Sequence, residues 1–211
     1  LSPDLELIDG QHRCAAVIQS EVTLHNVVLE VIHDPQAFES FDSNAVRTLK
    51  DTFKTSGDRR PADPTVMAAI IYEHLNFRPK RLSRPEQFDI VKSFPMEDLK
   101  IIKELKNQKV ATAGMLAAAI RCMRRDRDAA IKFFTAAFSN TPIIDGQFEP
   151  NSRVLATWIY QVKNDKRVGK SAEGWKRECA VRCIRAWNAW RDGRTLKKIQ
   201  YKPEEAIPEA I

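Results

Sequence analysis

The chain has 211 residues, of which 43% are hydrophobic and 29% charged. That is ordinary globular usage and excludes a wholly disordered chain, while the lack of any run near eighteen apolar residues excludes a membrane-spanning helix. The formal net charge is +6, and only 7 glycines and 3 tyrosines argue against an all-β sandwich or barrel.

In chain order, residues 5–9 (LELID) read as a short strand ending at Gly10. Residues 11–20 read as a helix, with Ala15, Ala16 and Ile18 as helix formers and apolar side. Residues 23–32 (TLHNVVLEVI) alternate and are rich in β-branched side chains, the pattern of a second strand. Strand, turn, helix and strand make one αβ unit, closed by Asp34-Pro35 and assigned to residues 1–42. The first strand begins almost at Leu1, so the unit is expected to be truncated at its N-terminus.

From residue 43 to residue 211 the pattern is helical. Helices are predicted over 44–55, 64–76, 84–94, 97–107, 111–124, 126–138, 151–164 and 172–192. Pro64 suits a first helical turn, Pro95 stops the third of these helices, and Gly193 stands at a C-cap position. Residues 202–211, with two prolines, read as an extended tail. The expected fold class is therefore α+β: a small strand–helix–strand unit packed on a predominantly helical body, with the long 172–192 helix central to that body.

Within that helix Trp175, Cys179, Cys183, Trp187 and Trp190 recur at helical steps and form one apolar stripe. We expect it to be core. Cys179 and Cys183 are one turn apart, but no Cys-x-x-Cys or His-x-x-x-His spacing supports a closed metal site, and no metal is expected. With Cys14 and Cys122 the cysteines are too sparse for a disulfide scaffold, which points to a reduced, cytoplasmic protein. His25, His33 and His74 read as structural. Ile144-Asp145-Gly146-Gln147 reads as an interhelical loop, because Pro150 follows so closely.

The charge is unevenly placed. Residues 150–202 carry 14 Lys+Arg against 4 Asp+Glu, net +10, and the rest carries 20 against 24, net −4. A basic third on a slightly acidic body is the footprint of a polyanion-binding face. Lys176, Arg177, Arg185 and Arg191 lie off the tryptophan stripe, with Arg194 and Lys197 beyond, and such a row suffices for phosphate contacts. The competing expectation is structural: these side chains pair with the body's surplus carboxylates. No helix-turn-helix or zinc finger stands out, so no base-reading element is expected. The dense cluster Arg121-Cys122-Met123-Arg124-Arg125-Asp126-Arg127 reads as cations complementing a helix end.

The sharpest motif is Ile8-Asp9-Gly10-Gln11-His12-Arg13, followed by Cys14-Ala15-Ala16. A strand running through a glycine into a helix leaves free N–H groups and a positive dipole end beside a residue that admits close approach. Arg13 adds a forked, permanently charged donor, and the combination suits phosphate. Asp9 is placed to orient a hydroxyl or take a proton, and His12 to donate to a phosphate oxygen or shuttle a proton. On the residues alone the alternative stays open: Asp9 caps the helix and Arg13 pairs with a surface carboxylate.

The run Leu7-Ile8-Asp9-Gly10-Gln11-His12-Arg13-Cys14-Ala15-Ala16 resembles the DGQHR signature of the ParB/sulfiredoxin-like superfamily, over roughly residues 1–34. It is most similar to phage-type ParB-like proteins and to DGQHR proteins of DNA-modification systems. The segment 186–194 (AWNAWRDGR) resembles the end of phage proteins carrying that motif. The resemblance implies that Gly10, Gln11, His12 and Arg13 hold the phosphates of a CTP- or ATP-type nucleotide with Mg2+, and that Asp9 and His12 are the catalytic candidates. Sulfiredoxin activity is not expected, because Gln11 stands where those enzymes place their cysteine. NTPase, phosphotransferase or ParB-like nuclease activity is what the superfamily implies, and no residue here demonstrates strand cleavage.

The expected function is thus a ParB-like nucleotide- or DNA-associated protein of phage or mobile-element type. Nucleic acid would lie along Lys176, Arg177, Arg185, Arg191 and Arg194. The alternatives are a phosphotransfer or DNA-modification enzyme of the same superfamily, and a non-catalytic interaction protein with a vestigial turn.

Overall fold

In the computed structural model the described residues are 11–25, 27–28, 31, 49–55, 63–107, 111–140, 149–164 and 173–211. The chain divides into two compact units, Leu1–Thr48 and Leu49–Ile211. The expected 42/43 boundary lies outside the described residues.

In the first unit, helix α1 spans Gln11–Ser20, as its sequence predicts. The α+β expectation is not met. Among the described residues there is no strand, and positions 22–25, 27, 28 and 31 have no regular secondary structure. The predicted 5–9 strand lies outside them. Alternation forecasts a strand only if one face finds cover and the backbone finds a partner edge. Here Val27 is 58% and Val28 90% exposed, and adjacent residues on a strand point to opposite faces, so neither face is covered.

The second unit is helical, and its helix ends are set by local chemistry. Helix α2 is Leu49–Thr55. Helix α3, Pro64–His74, starts on Asp63, whose carboxylate accepts from the N–H groups of Thr65 (2.9 Å) and Val66 (3.2 Å). Partial burial would raise the Asp63 carboxyl, but the Lys106 ammonium and these two N–H groups hold it below its ordinary value. Helix α4, Arg84–Ser93, opens with a capping box between Ser83 and Glu86. Helices α5 (Met96–Asn107), α6 (Ala113–Met123) and α7 (Arg127–Ser139) follow. Thr112 caps α6, Asp126 caps α7, and Asn140 closes α7 in the left-handed region at φ 54°.

Helix α8, Pro150–Asn164, is opened by Glu149, whose carboxylate accepts from the N–H groups of Asn151 and Ser152. Helix α9, Glu173–Arg191, is the longest. It stops at Gly193, φ +67°, where the Arg194 N–H reaches back to the Ala189 carbonyl at 2.8 Å. The chain then folds back along α9 without regular structure to Ile211.

The centre of the body is α6, not the long helix the sequence put there. Helix α6 is buried on nearly every side from Gly114 to Ile120 and packs on α3, α5, α7 and α9. Its run Gly114-Met115-Leu116-Ala117-Ala118-Ala119-Ile120 explains this: an all-apolar helix is a buried one, and small side chains let several neighbours approach. Helix α9 lies against α6 and α8 and brings the tryptophan stripe inward. Trp175, Cys179, Cys183 and Trp187 are buried, and Trp190 is partly buried. The three core thiols are free, and burial pushes Cys179 up to about 12 and Cys122 and Cys183 well above the ordinary thiol value.

The arginine cluster at the end of α6 does more than complement a dipole. Glu73, buried on α3, takes Arg121 on one carboxylate oxygen and Arg124 on the other, each at 2.7 Å. Arg127 reaches Asp98 on α5 at 2.8 Å. These arginines tie α3, α5, α6 and α7 together.

Candidate nucleic-acid interface

The two motifs named from sequence fall in different units. Asp9 and Gly10 lie outside the described residues. Gln11 and His12 occupy the first two positions of α1, and Arg13 is its third residue and exposed. The first turn of α1 holds no acidic residue. No cluster of three or more potential metal ligands occurs among the described residues.

The five predicted nucleic-acid residues sit on α9 and just beyond it. Lys176 lies 3.4 Å from Glu173 and 6.0 Å from the centre of the Tyr72 ring. Arg177 donates to the Glu205 carbonyl. Arg185 donates to the Gln200 carbonyl at 2.6 Å and pairs with the Glu205 carboxylate. Arg191 pairs with Asp126 at 2.9 Å and covers the Trp187 ring. Arg194 chelates one oxygen of Asp192 at 2.6 and 3.0 Å. Each cation of the row has an internal partner, but only Arg185 and Arg191 pair with carboxylates from outside the basic third. Lys176, Arg177 and Arg191 stay scattered along α9.

Arg185 and Arg194 come together. They line a cleft of about 450 Å3 between the last turns of α9 and the returning chain, joined by Asn188, Leu196, Lys198, Ile199 and Gln200. Three cations and no acidic residue are among the described residues that line this space, with Arg185 and Arg194 held by Glu205 and Asp192. Lys198 was missed by reading the sequence, which singled out Lys197. Beyond Gly193 the chain has no regular structure and bends at Lys197, and Arg194, Leu196, Lys198, Ile199 and Gln200 reach the cleft, a placement that no local sequence period encodes. Among the described residues Lys198 has no carboxylate within ion-pair distance. Arg194 is exposed, and its pair with Asp192 is of the kind worth under ~1 kcal/mol, so a stronger anion displaces it at little cost.

A second cavity, of about 260 Å3, lies between α3, α4, α5 and α6. Its lining is mixed, with Ile70, Ile90, Phe94 and Ile120 beside His74, Asp98 and Arg124. Arg124 and Asp98 are already held by Glu73 and Arg127.

Comparison with known proteins finds no matching family model, no similar curated protein and no similar solved structure. The class the described residues define is a helical body with an irregular C-terminal segment folded back on it and a cation-lined cleft. No helix among them is long and apolar enough to cross a membrane.

Proposed function

We propose that this chain is a nucleic-acid-associated protein that grips the phosphate backbone without reading bases. The observation that carries the proposal is the cleft, where Arg185, Arg194 and Lys198 converge and, among the described lining residues, none is acidic. Phosphate contacts of this kind need only positioned cations, and their strength falls with salt because counterions are released on binding. Binding of a short DNA duplex should weaken steeply as salt rises. The Arg194→Ala/Lys198→Ala double variant should flatten the log–log salt slope by about two, near 0.9 for each lost phosphate contact. Arg185 is left in place because it also holds the returning chain. Absence of any binding at low ionic strength would overturn the proposal.

A second reading, from the DGQHR resemblance, places a CTP- or ATP-type nucleotide with Mg2+ at the start of α1. Three facts support it: α1 begins one residue past Gly10, its first turn has no acidic residue, and Arg13 is exposed there. Under this reading Arg13→Ala weakens nucleotide binding by about 1.5–3 kcal/mol, the range of a charge-assisted hydrogen bond, with no change in far-UV circular dichroism. Thermal shifts with CTP and ATP that match between wild type and variant would sink it. Whether the turn also does chemistry through Asp9 and His12 is decided by assaying nucleotide turnover in the same samples.

A further inference from the structure

The returning chain is held in an unusual way. Asn151, at the start of α8, donates from Nδ2 to the Arg194 carbonyl (2.8 Å) and accepts at Oδ1 from the Leu196 N–H (2.9 Å). Asn188, on α9, donates to the Glu209 carbonyl (2.7 Å) and accepts from the Ile211 N–H (3.2 Å). In both cases one side-chain amide spans the C=O of residue i and the N–H of residue i+2. On an extended chain those two groups point the same way, and they are the pair a neighbouring β-strand would engage. Each asparagine thus imitates a strand edge.

The other contacts are also to main chain. Arg182 donates to the Ile199 carbonyl and Arg185 to the Gln200 carbonyl. Trp187 Nε1 donates to the Ile211 carbonyl at 2.8 Å. Contacts to main chain make no demand on side-chain identity. Side chains add the selection: Ile199 and Ala210 are buried in the core, Leu196 and Ile207 pack against it, and two acidic side chains meet arginines, Glu205 at Arg185 and Glu209 at Arg125 (3.7 Å). Residues 206–211 have no secondary structure of their own, so this surface is what orders them.

We propose that the face of α9, with Asn151, is a groove for an extended acidic peptide. The chain's own residues 194–211 fill it in cis, and a peptide segment of the same chemistry on a partner protein competes for the part held by Asn188, Arg185 and Trp187. Recognition is main-chain hydrogen bonding plus a carboxylate on Arg185 and a small apolar residue near Asn188, the division of labour usual for peptides bound as added strands. The proposal goes beyond nucleic-acid binding and does not rest on it.

The test uses the full chain and a fluorescein-labelled peptide with the sequence of residues 203–211. In the wild type the tethered segment competes at high effective concentration, so the peptide binds weakly. The Glu205→Lys/Glu209→Lys double variant makes both charged ends of the tethered segment repulsive and leaves the groove intact. It should bind the peptide about tenfold more tightly than wild type, the change one charge-assisted contact produces. Adding Asn188→Ala should remove that gain, and a peptide carrying lysine in place of both glutamates should not bind. If the folded double variant binds the acidic peptide no better than wild type, or binds the lysine peptide equally well, the proposal is overturned. Circular dichroism checks the fold. Should the double variant not fold, Glu205→Gln replaces it under the same criteria, with a gain of about threefold expected.

Discussion

Trp187→Ala is expected to destabilise the helical body by about 3–5 kcal/mol, the range for truncating a buried aromatic. Trp187 is fully buried on α9. Its indole meets Phe133 edge-on at 5.9 Å, lies parallel to Phe134 at 6.3 Å and touches Trp190 at 5.3 Å. Trp190 in turn stacks on Phe133 at 5.2 Å. Four rings from α7 and α9 form one unit, so removing the central one leaves a cavity that the others fill poorly. The same substitution removes the Nε1–H that the Ile211 carbonyl accepts, loosening the returning chain. Urea unfolding followed by circular dichroism measures the loss. Trp187→Phe separates the two effects, because it keeps most of the packing and loses the hydrogen bond. Equal stability of Trp187→Ala and wild type would show that the ring cluster is not a stabilising core.

The helices of the second unit were legible because their ends are encoded by neighbours in sequence. Asp63 with Pro64, Ser83 with Glu86, and Gly193 each act within one turn, so the predicted and observed boundaries differ by a residue or two. The apolar stripe of α9 was legible for the same reason, since its period belongs to one helix. What the sequence hid is separated along the chain. Glu73 meets Arg121 across 48 positions, and Asn151 meets Leu196 across 45. One helix read alone does not show that the chain beyond Gly193 turns back and supplies Glu205 and several carbonyls as partners to the basic row. The 23–32 strand failed on the same ground: alternation is local, and the partner edge that makes a strand is not. The hub role of α6 is written in its run of glycine, alanine and apolar side chains, which lies within the predicted 111–124 helix.

Gly114→Ala is expected to cost about 3 kcal/mol, because α6 and α9 touch backbone to backbone at that glycine. A Cβ built on Gly114 would lie 2.2 Å from the Lys176 carbonyl oxygen and 2.9 Å from its carbonyl carbon and Cα. These are main-chain atoms inside a helix, so no rotamer change relieves the clash and the two helices must move apart. Alanine's better helix propensity offers at most ~1 kcal/mol in return, and less in a first turn. Overpacking typically costs 1–3 kcal/mol, and a clash with rigid backbone belongs at the upper end of that range, so the clash decides the sign. Separation would be felt widely, since α6 is also the support for α3, α5 and α7. Gly174→Ala supplies the control. Gly174 sits near the start of α9 with nothing within 4 Å of its built Cβ, so alanine there is neutral or stabilising by up to ~1 kcal/mol. The pair is compared by urea midpoint at constant slope. If both substitutions leave the midpoint where it is, α6 and α9 are not in the close contact described, and the packing of the whole body around α6 has to be redrawn.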